Sequence, residues 1–173
     1  MRTFICLEIP EEIKKIVKKI QEKLPEFSGK KTEEKNLHLT LKFLGEIDEK
    51  TLKKVNEKLS EVKFKKFNAK LGEIGVFDKN FIRIVWIKIE NCDELQKEID
   101  EKLSELFEKE KRFMSHLTIA RIKSIKNKEY FLNSIEKIEV PKKDFLVEKF
   151  HLKESNLTKK GPIYKNITDY SLE

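Results

Sequence analysis

Cysteine is scarce in this sequence: Cys6 and Cys92 are the only two among 173 residues, and they form no CxxC pair. Two isolated thiols give no disulfide framework, so the reading is a reduced, intracellular chain held by its own core. Five glycines and four prolines exclude collagen-like and low-complexity chains. No stretch approaches the roughly 18 apolar residues of a membrane span. The opening MRTFICLEIPEEIKK has a short apolar run containing Glu8 and no small-residue cleavage site, so it does not read as a secretory leader. A cytoplasmic location is expected, with no membrane contact. Arginine is also rare, Arg2, Arg83, Arg112 and Arg121 standing against 34 lysines. The net charge of +7 favours an anionic partner without identifying one.

What is present reads as alternating short strands and helices. Residues 3–9 (TFICLEI) form a buried-strand pattern ended by Pro10. Pro10, Glu11 and Glu12 then suit the first turn of a helix carrying Ile13, Ile16, Val17, Ile20 and Leu24 at helical spacing. Residues 37–44 (LHLTLKFL) give a second strand, and Asp48 or Thr51 caps a helix with Leu52, Val55 and Leu59 inward. Residues 67–90 read as two strands joined by a hairpin at Asp78, Lys79 and Asn80. A third helix is predicted over 93–109, a strand over 115–122 and a short helix over 127–138. FLVEKFHLKES and IYKNITDYSL close the chain as strands. Strands in hairpins mixed with helices predict an antiparallel α+β fold.

One motif is repeated. Residues 38–41 read HLTL and residues 116–119 read HLTI, 78 positions apart. Only three histidines occur, and threonine fills 7 of 173 positions. Any one histidine therefore has about a 4% chance of a threonine two places on, so two matches are improbable as coincidence. Strand residues i and i+2 share a face, so His38 projects with Thr40, and His116 with Thr118, while the leucines face the core. Imidazole titrates near pH 6.5, so one histidine can give a proton while the other takes one. Hydroxyls beside them can hydrogen-bond phosphoryl oxygens, which suits in-line displacement at phosphorus without a metal. The bland alternative is two histidines satisfied at a packing interface.

At these residues the chain resembles the two-histidine (2H) phosphoesterase superfamily, especially the archaeal and bacterial RNA 2′,3′-cyclic phosphodiesterases also called 2′-5′ RNA ligases. RTFICLEIP is similar to that family's first strand, HLTLKFLGEI to its first motif and SHLTIAR to its second. FHLKESNLTKKGPIYKNI is similar to its last Ser-containing strand with the following Gly and Tyr. Ser115 stands where the family usually has proline, which alters backbone stiffness but removes no chemical group.

The resemblance implies one two-lobed domain over residues 1–173. Each of two pseudo-symmetric lobes would be an antiparallel sheet with helices outside, and the active-site cleft would lie between them. It implies His38 as the acid protonating the departing 3′ oxygen and His116 as the base activating water, with Thr40 and Thr118 holding phosphate oxygens. The implied reaction turns RNA 2′,3′-cyclic ends into 2′-phosphomonoesters with free 3′-hydroxyls, and its reverse joins RNA through 2′-5′ links. RNA with such an end, tRNA fragments included, would be the partner, and no cofactor is implied. Two alternatives stay open: a phosphodiesterase for another cyclic or 2′-5′ linked nucleotide, and a noncatalytic RNA- or nucleotide-binding module.

Further candidates follow from residue type. Arg121 could neutralise phosphate, although straight-strand parity sets it opposite His116. Phe4, Phe43 and Tyr164 could stack on a base. His151 reads as structural and Trp86 as sheet core. Lysine runs such as KKIVKK and KFKKF read as solvated faces that could also track an RNA backbone. HExxH, HxxxH and Cys/His clusters are missing, so no metal site is expected. No GxxxxGK[ST] loop supports an ATP-driven ligase.

Overall fold

The computed structural model describes residues 1–173. Its first strand, β1 (Arg2–Glu8), is buried continuously from Thr3 to Leu7. That fits a strand covered on both faces, as the unbroken apolar run requires. Helix α1 (Glu11–Glu22) starts at Pro10, with Glu11 and Glu12 at its positive end. It buries Ile13, Val17 and Ile20, and one polar residue, Gln21.

A short strand β2 (Ser28–Lys31) and one 3-10 turn (Glu34–Asn36) lead into β3 (His38–Glu46). Helix α2 (Glu49–Ser60) is capped by Asp48, whose carboxylate accepts the Thr51 N–H. Strands β4 (Phe67–Val76) and β5 (Ile84–Glu90) precede α3 (Asp93–Lys102). Then come β6 (His116–Ser124), α4 (Lys128–Glu136), β7 (Asp144–Val147), β8 (Lys149–Thr158) and β9 (Gly161–Ser171). The N-cap of α4 is Asn127, which accepts the Tyr130 N–H.

All pairings are antiparallel, in the order β7-β4-β5-β6-β3-β1-β8-β9, with β2 on β6. The two halves are β7-β4-β5-β6 and β3-β1-β8-β9. They join where β3 meets β6 through one residue pair, Leu39 with Leu117. The two expected sheets are thus one curled, half-barrel sheet. At the other side Glu148 alone separates β7 from β8, so the chain crosses directly from one half to the other. The core is a single cluster of 35 buried residues running through both halves.

The duplication is visible in burial. β3 and β6 share the same sequence of half-buried, buried and exposed positions through their first seven residues. Three elements differ from the sequence reading. β2 (SGKK) carries no apolar alternation and exists because β6 offers it a partner. FLVEKFHLKES is two strands, broken at Glu148. Helix α3 stops at Lys102, seven residues early, and the following segment turns its Glu108 carbonyl onto Lys42.

Candidate active site

Both His-x-Thr motifs open a strand, and in each the histidine and threonine are half-buried while the leucine between them is fully buried. His38, Thr40, His116 and Thr118 line one cleft of about 350 Å³. The antiparallel contact of Leu39 with Leu117 brings the motifs together head to tail. A larger hollow of about 510 Å³ lies around Glu8, Lys66 and His151, but these side chains are already engaged, Glu8 by Lys153, Lys66 by Glu148 and His151 by Asp169.

The imidazoles are held identically. His38 Nδ1 bonds the Asn36 carbonyl at 2.8 Å, and His116 Nδ1 bonds the Met114 carbonyl at 2.8 Å. A carbonyl can only accept, so Nδ1–H donates in both, and Nε2 is left free. Nε2 is a lone pair when the ring is neutral and an N–H when it is charged, so either ring can act as base or acid without reorienting.

Their surroundings differ. Tyr164 stands edge-on to His38 at 4.9 Å, and Phe4 packs against both rings at 5.1 Å. Tyr164 lines the cleft. Phe4 is 2% exposed and offers no open face, so it backs His38 rather than facing the cleft. Burial pushes the His38 imidazole below its ordinary value, and the charges of Lys153, Arg121 and His116 act in the same direction, against the Asn36 carbonyl. Burial pushes the Tyr164 hydroxyl up, so it stays neutral. On the other side, His116 meets Phe77 edge-on at 4.9 Å, backed by Trp86 at 5.7 Å. Phe77 is 55% exposed. It lies just beyond β4, and nothing in the local sequence sets it beside His116.

Arg121 lines the cleft, which corrects the straight-strand parity. Thr118 pairs with Trp86 and Ala120 with Val85, so Ile119 is an extra, bulged residue. Ile119 and Ala120 are both buried, and Arg121 returns to the face of His116. Long-range bonds hold the bulge: Gln21 Nε2 and the Thr32 N–H both donate to the Ile119 carbonyl at 2.9 Å, and Thr32 Oγ1 donates to the Thr118 carbonyl at 2.9 Å. A matching bulge at Leu41 turns Phe43 outward at the position equivalent to Arg121, where Arg2 covers its ring at 4.9 Å. Trp86 pairs with Thr118 and stands on the concave face with it, not in the helix-covered core.

His151 does not line this cleft. It is 3% exposed, with Nδ1 bonded to Asp169 at 2.7 Å and Nε2 3.8 Å from Glu8. Lys153 bonds Glu8 at 2.8 Å. Burial alone would raise Glu8, but Lys153 and His151 together hold it low.

Comparison with known proteins adds to this geometry. The model of LigT-like phosphoesterases matches residues 6–86 and 88–164. The chain is 42% identical to the RNA 2′,3′-cyclic phosphodiesterase of Methanocaldococcus jannaschii over 175 residues, covering 98% of this chain and all of that one. It is 37% identical to the Thermotoga maritima protein of the same name over 182 residues, covering 100% and 96%. Among solved structures, TT0787 of Thermus thermophilus superposes with a TM-score of 0.83 at 28% identity, covering 99% and 97% of the two chains. Escherichia coli LigT gives 0.80 at 20% identity, covering 99% and 96%, a likeness of fold.

Proposed function

This chain belongs to the LigT-like phosphoesterase family, and from that premise we propose that it opens RNA 2′,3′-cyclic phosphate ends to 2′-phosphomonoesters using His38 and His116. The observation that carries this reading is the pair of imidazoles in one cleft, each locked by Nδ1 on a carbonyl with Nε2 free. His116, on the open side, takes a proton from water as the oxygen attacks phosphorus. His38, on the closed aromatic side, gives its Nε2 proton to the departing 3′ oxygen. Thr40 and Thr118 donate to non-bridging oxygens, and Arg121 balances their charge. The reverse steps join a cyclic end to a 5′-hydroxyl as a 2′-5′ bond.

Residues 1–173 act in this reading as one two-lobed domain, since both lobes supply half of the site. The RNA is a fragment with a cyclic end, tRNA fragments included, met in the cytoplasm. No helix is long and apolar enough to cross a membrane.

The test is a short RNA ending in 2′,3′-cyclic phosphate, incubated without ATP in excess EDTA, with the product isomers resolved. The expected product is the 2′-phosphate at an undiminished rate. A 3′-phosphate would reverse the leaving group, and tight binding without turnover would mark a binding module. Loss of rate in EDTA, restored by one metal, would overturn the two-histidine mechanism.

The pH dependence has a defined sign. His38 must be protonated to act as acid, and in the free protein its pKa lies below the ordinary value near 6.5. One limb of kcat/KM should therefore lie below pH 6.5. A bound phosphodiester is anionic and favours the imidazolium, so the same limb in kcat moves to higher pH. The limbs belong to the coupled pair rather than to one ring. Rate profiles from about pH 5 to 9 decide it; two kcat/KM limbs both above 6.5 contradict the lowered His38.

A further inference from the structure

The segment joining β4 to β5, residues 77–83 (FDKNFIR), carries two exposed aromatic rings, Phe77 at 55% and Phe81 at 60%. It is anchored rather than loose. Arg83 Nη1 donates to the Lys123 carbonyl at 2.8 Å, and the Ile122 N–H donates to the Arg83 carbonyl at 2.8 Å. The Arg83 guanidinium lies 4.1 Å over the Phe81 ring. One of the chain's four arginines is thus used to fix an exposed phenylalanine. Phe77 itself touches His116 and rests on Trp86.

A phenylalanine with one edge on a reactive imidazole and an open face is a stacking surface for a base, and stacking tolerates any base. The position of the ring decides which base. In-line displacement places the entering and departing oxygens on opposite sides of phosphorus. The ribose bearing O2′ and O3′ lies on the His38 side, beside Tyr164. Water, or the 5′-oxygen of a second RNA, lies on the His116 side.

We propose that Phe77 is the binding subsite for the nucleotide that carries the 5′-oxygen at a 2′-5′ RNA junction. This deepens the proposed function and rests on its assignment of His38 and His116. In junction cleavage the 3′-hydroxyl attacks phosphorus, forming P–O3′ and breaking P–O5′. His38 takes the O3′ proton, and His116 gives its proton to O5′. Hydrolysis of a cyclic end leaves this subsite empty, because water replaces the 5′ nucleotide.

Phe77→Ala and Phe77→Trp are compared with the unaltered protein on two substrates, cyclic-ended RNA and RNA with one internal 2′-5′ junction. If the junction is not turned over, its inhibition constant against cyclic-end hydrolysis replaces KM. In Phe77→Ala the junction constant should rise roughly 5- to 150-fold more than the KM for the cyclic end, the usual worth of one base-aromatic stack. Phe77→Trp should restore it. Equal effects on both substrates, no effect on the junction, or a junction that does not bind the unaltered protein would each overturn the subsite. Absence of cyclic-end hydrolysis in the unaltered protein would instead overturn the function on which it rests. Cyclic-end activity in Phe77→Ala also reports that the variant has folded.

Discussion

Replacing His38 or His116 with alanine should lower turnover of cyclic-ended RNA by roughly 10²–10⁴-fold, the range for a positioned general acid or base. Either loss removes half of one proton circuit, so the double replacement should cost little more than the worse single one. Thr40→Val and Thr118→Val should cost less, since each removes one hydrogen bond to a charged group, about 1.5–3 kcal/mol. His151→Ala is the control. His151 is equally an imidazole, but it is bonded to Asp169 away from the cleft. Its loss should lower stability and spare kcat in the protein that remains folded. Single-turnover rates on one substrate compare all six variants. A His151 effect as large as that of His38 would show that the wrong pair carries the chemistry.

Lys42→Ala should be strongly destabilising although the residue lies outside the cleft. Lys42 is 3% exposed, within the same strand that carries His38 and Thr40. Its ammonium bonds Asp100 at 2.6 Å and the Glu108 carbonyl at 2.7 Å. Asp100 also accepts the Glu110 N–H at 2.8 Å and Gln96 Nε2 at 3.1 Å, so the buried carboxylate is fully engaged. β3 belongs to one half of the sheet, and α3 lies between β5 and β6 of the other. Removing the cation strands a buried carboxylate, which costs about 3–5 kcal/mol, more than a hundredfold in the unfolding equilibrium. Lys42→Met with Asp100→Leu should recover much of that, because both charges leave together.

The sign with pH is fixed as well. Burial alone would raise Asp100, but Lys42, the Glu110 N–H and Gln96 together hold it below the usual carboxylate value of 3.8. Its contribution is therefore present above that value and lost as pH falls through the lowered one. The gap between unaltered and Lys42→Ala proteins in urea melts should narrow toward strong acid. A gap under about 1 kcal/mol at neutral pH would remove the pair from the account of stability.

The repeated HLT was legible because its chemistry is local: two strands, each with a period of two, deliver both histidines and both threonines to one face. The locking carbonyls of Asn36 and Met114 lie the same 78 residues apart, so they too belong to the repeat. Arg121 was misplaced by parity because its bulge is held by Gln21, 98 residues from Ile119. Lys42 alternates like a surface lysine, yet a second bulge turns it inward toward a helix of the other half. Phe4 fits the pattern of any buried strand, which does not reveal that its neighbour is an imidazole. Phe77 follows β4 by one residue, and only the pairing of β4, β5 and β6 brings it to His116.

The way the chain is threaded through the two halves has a consequence for synthesis. β1 and β3 are made early, but their half is completed by β8 and β9, and β1 pairs with β8 across almost the whole sequence. The half containing β4 to β7 lies between them in the sequence. During translation β1 and β3 can pair at once, but the middle of the chain emerges with its partners before β1 acquires β8. Tyr164, the ring beside His38, arrives on the last strand, β9. A nascent chain can hold both HLT motifs for the time needed to add some fifty residues without a finished site, and pairing over so long a separation is slow. A site that includes Tyr164 is thereby deferred until β9 has been made.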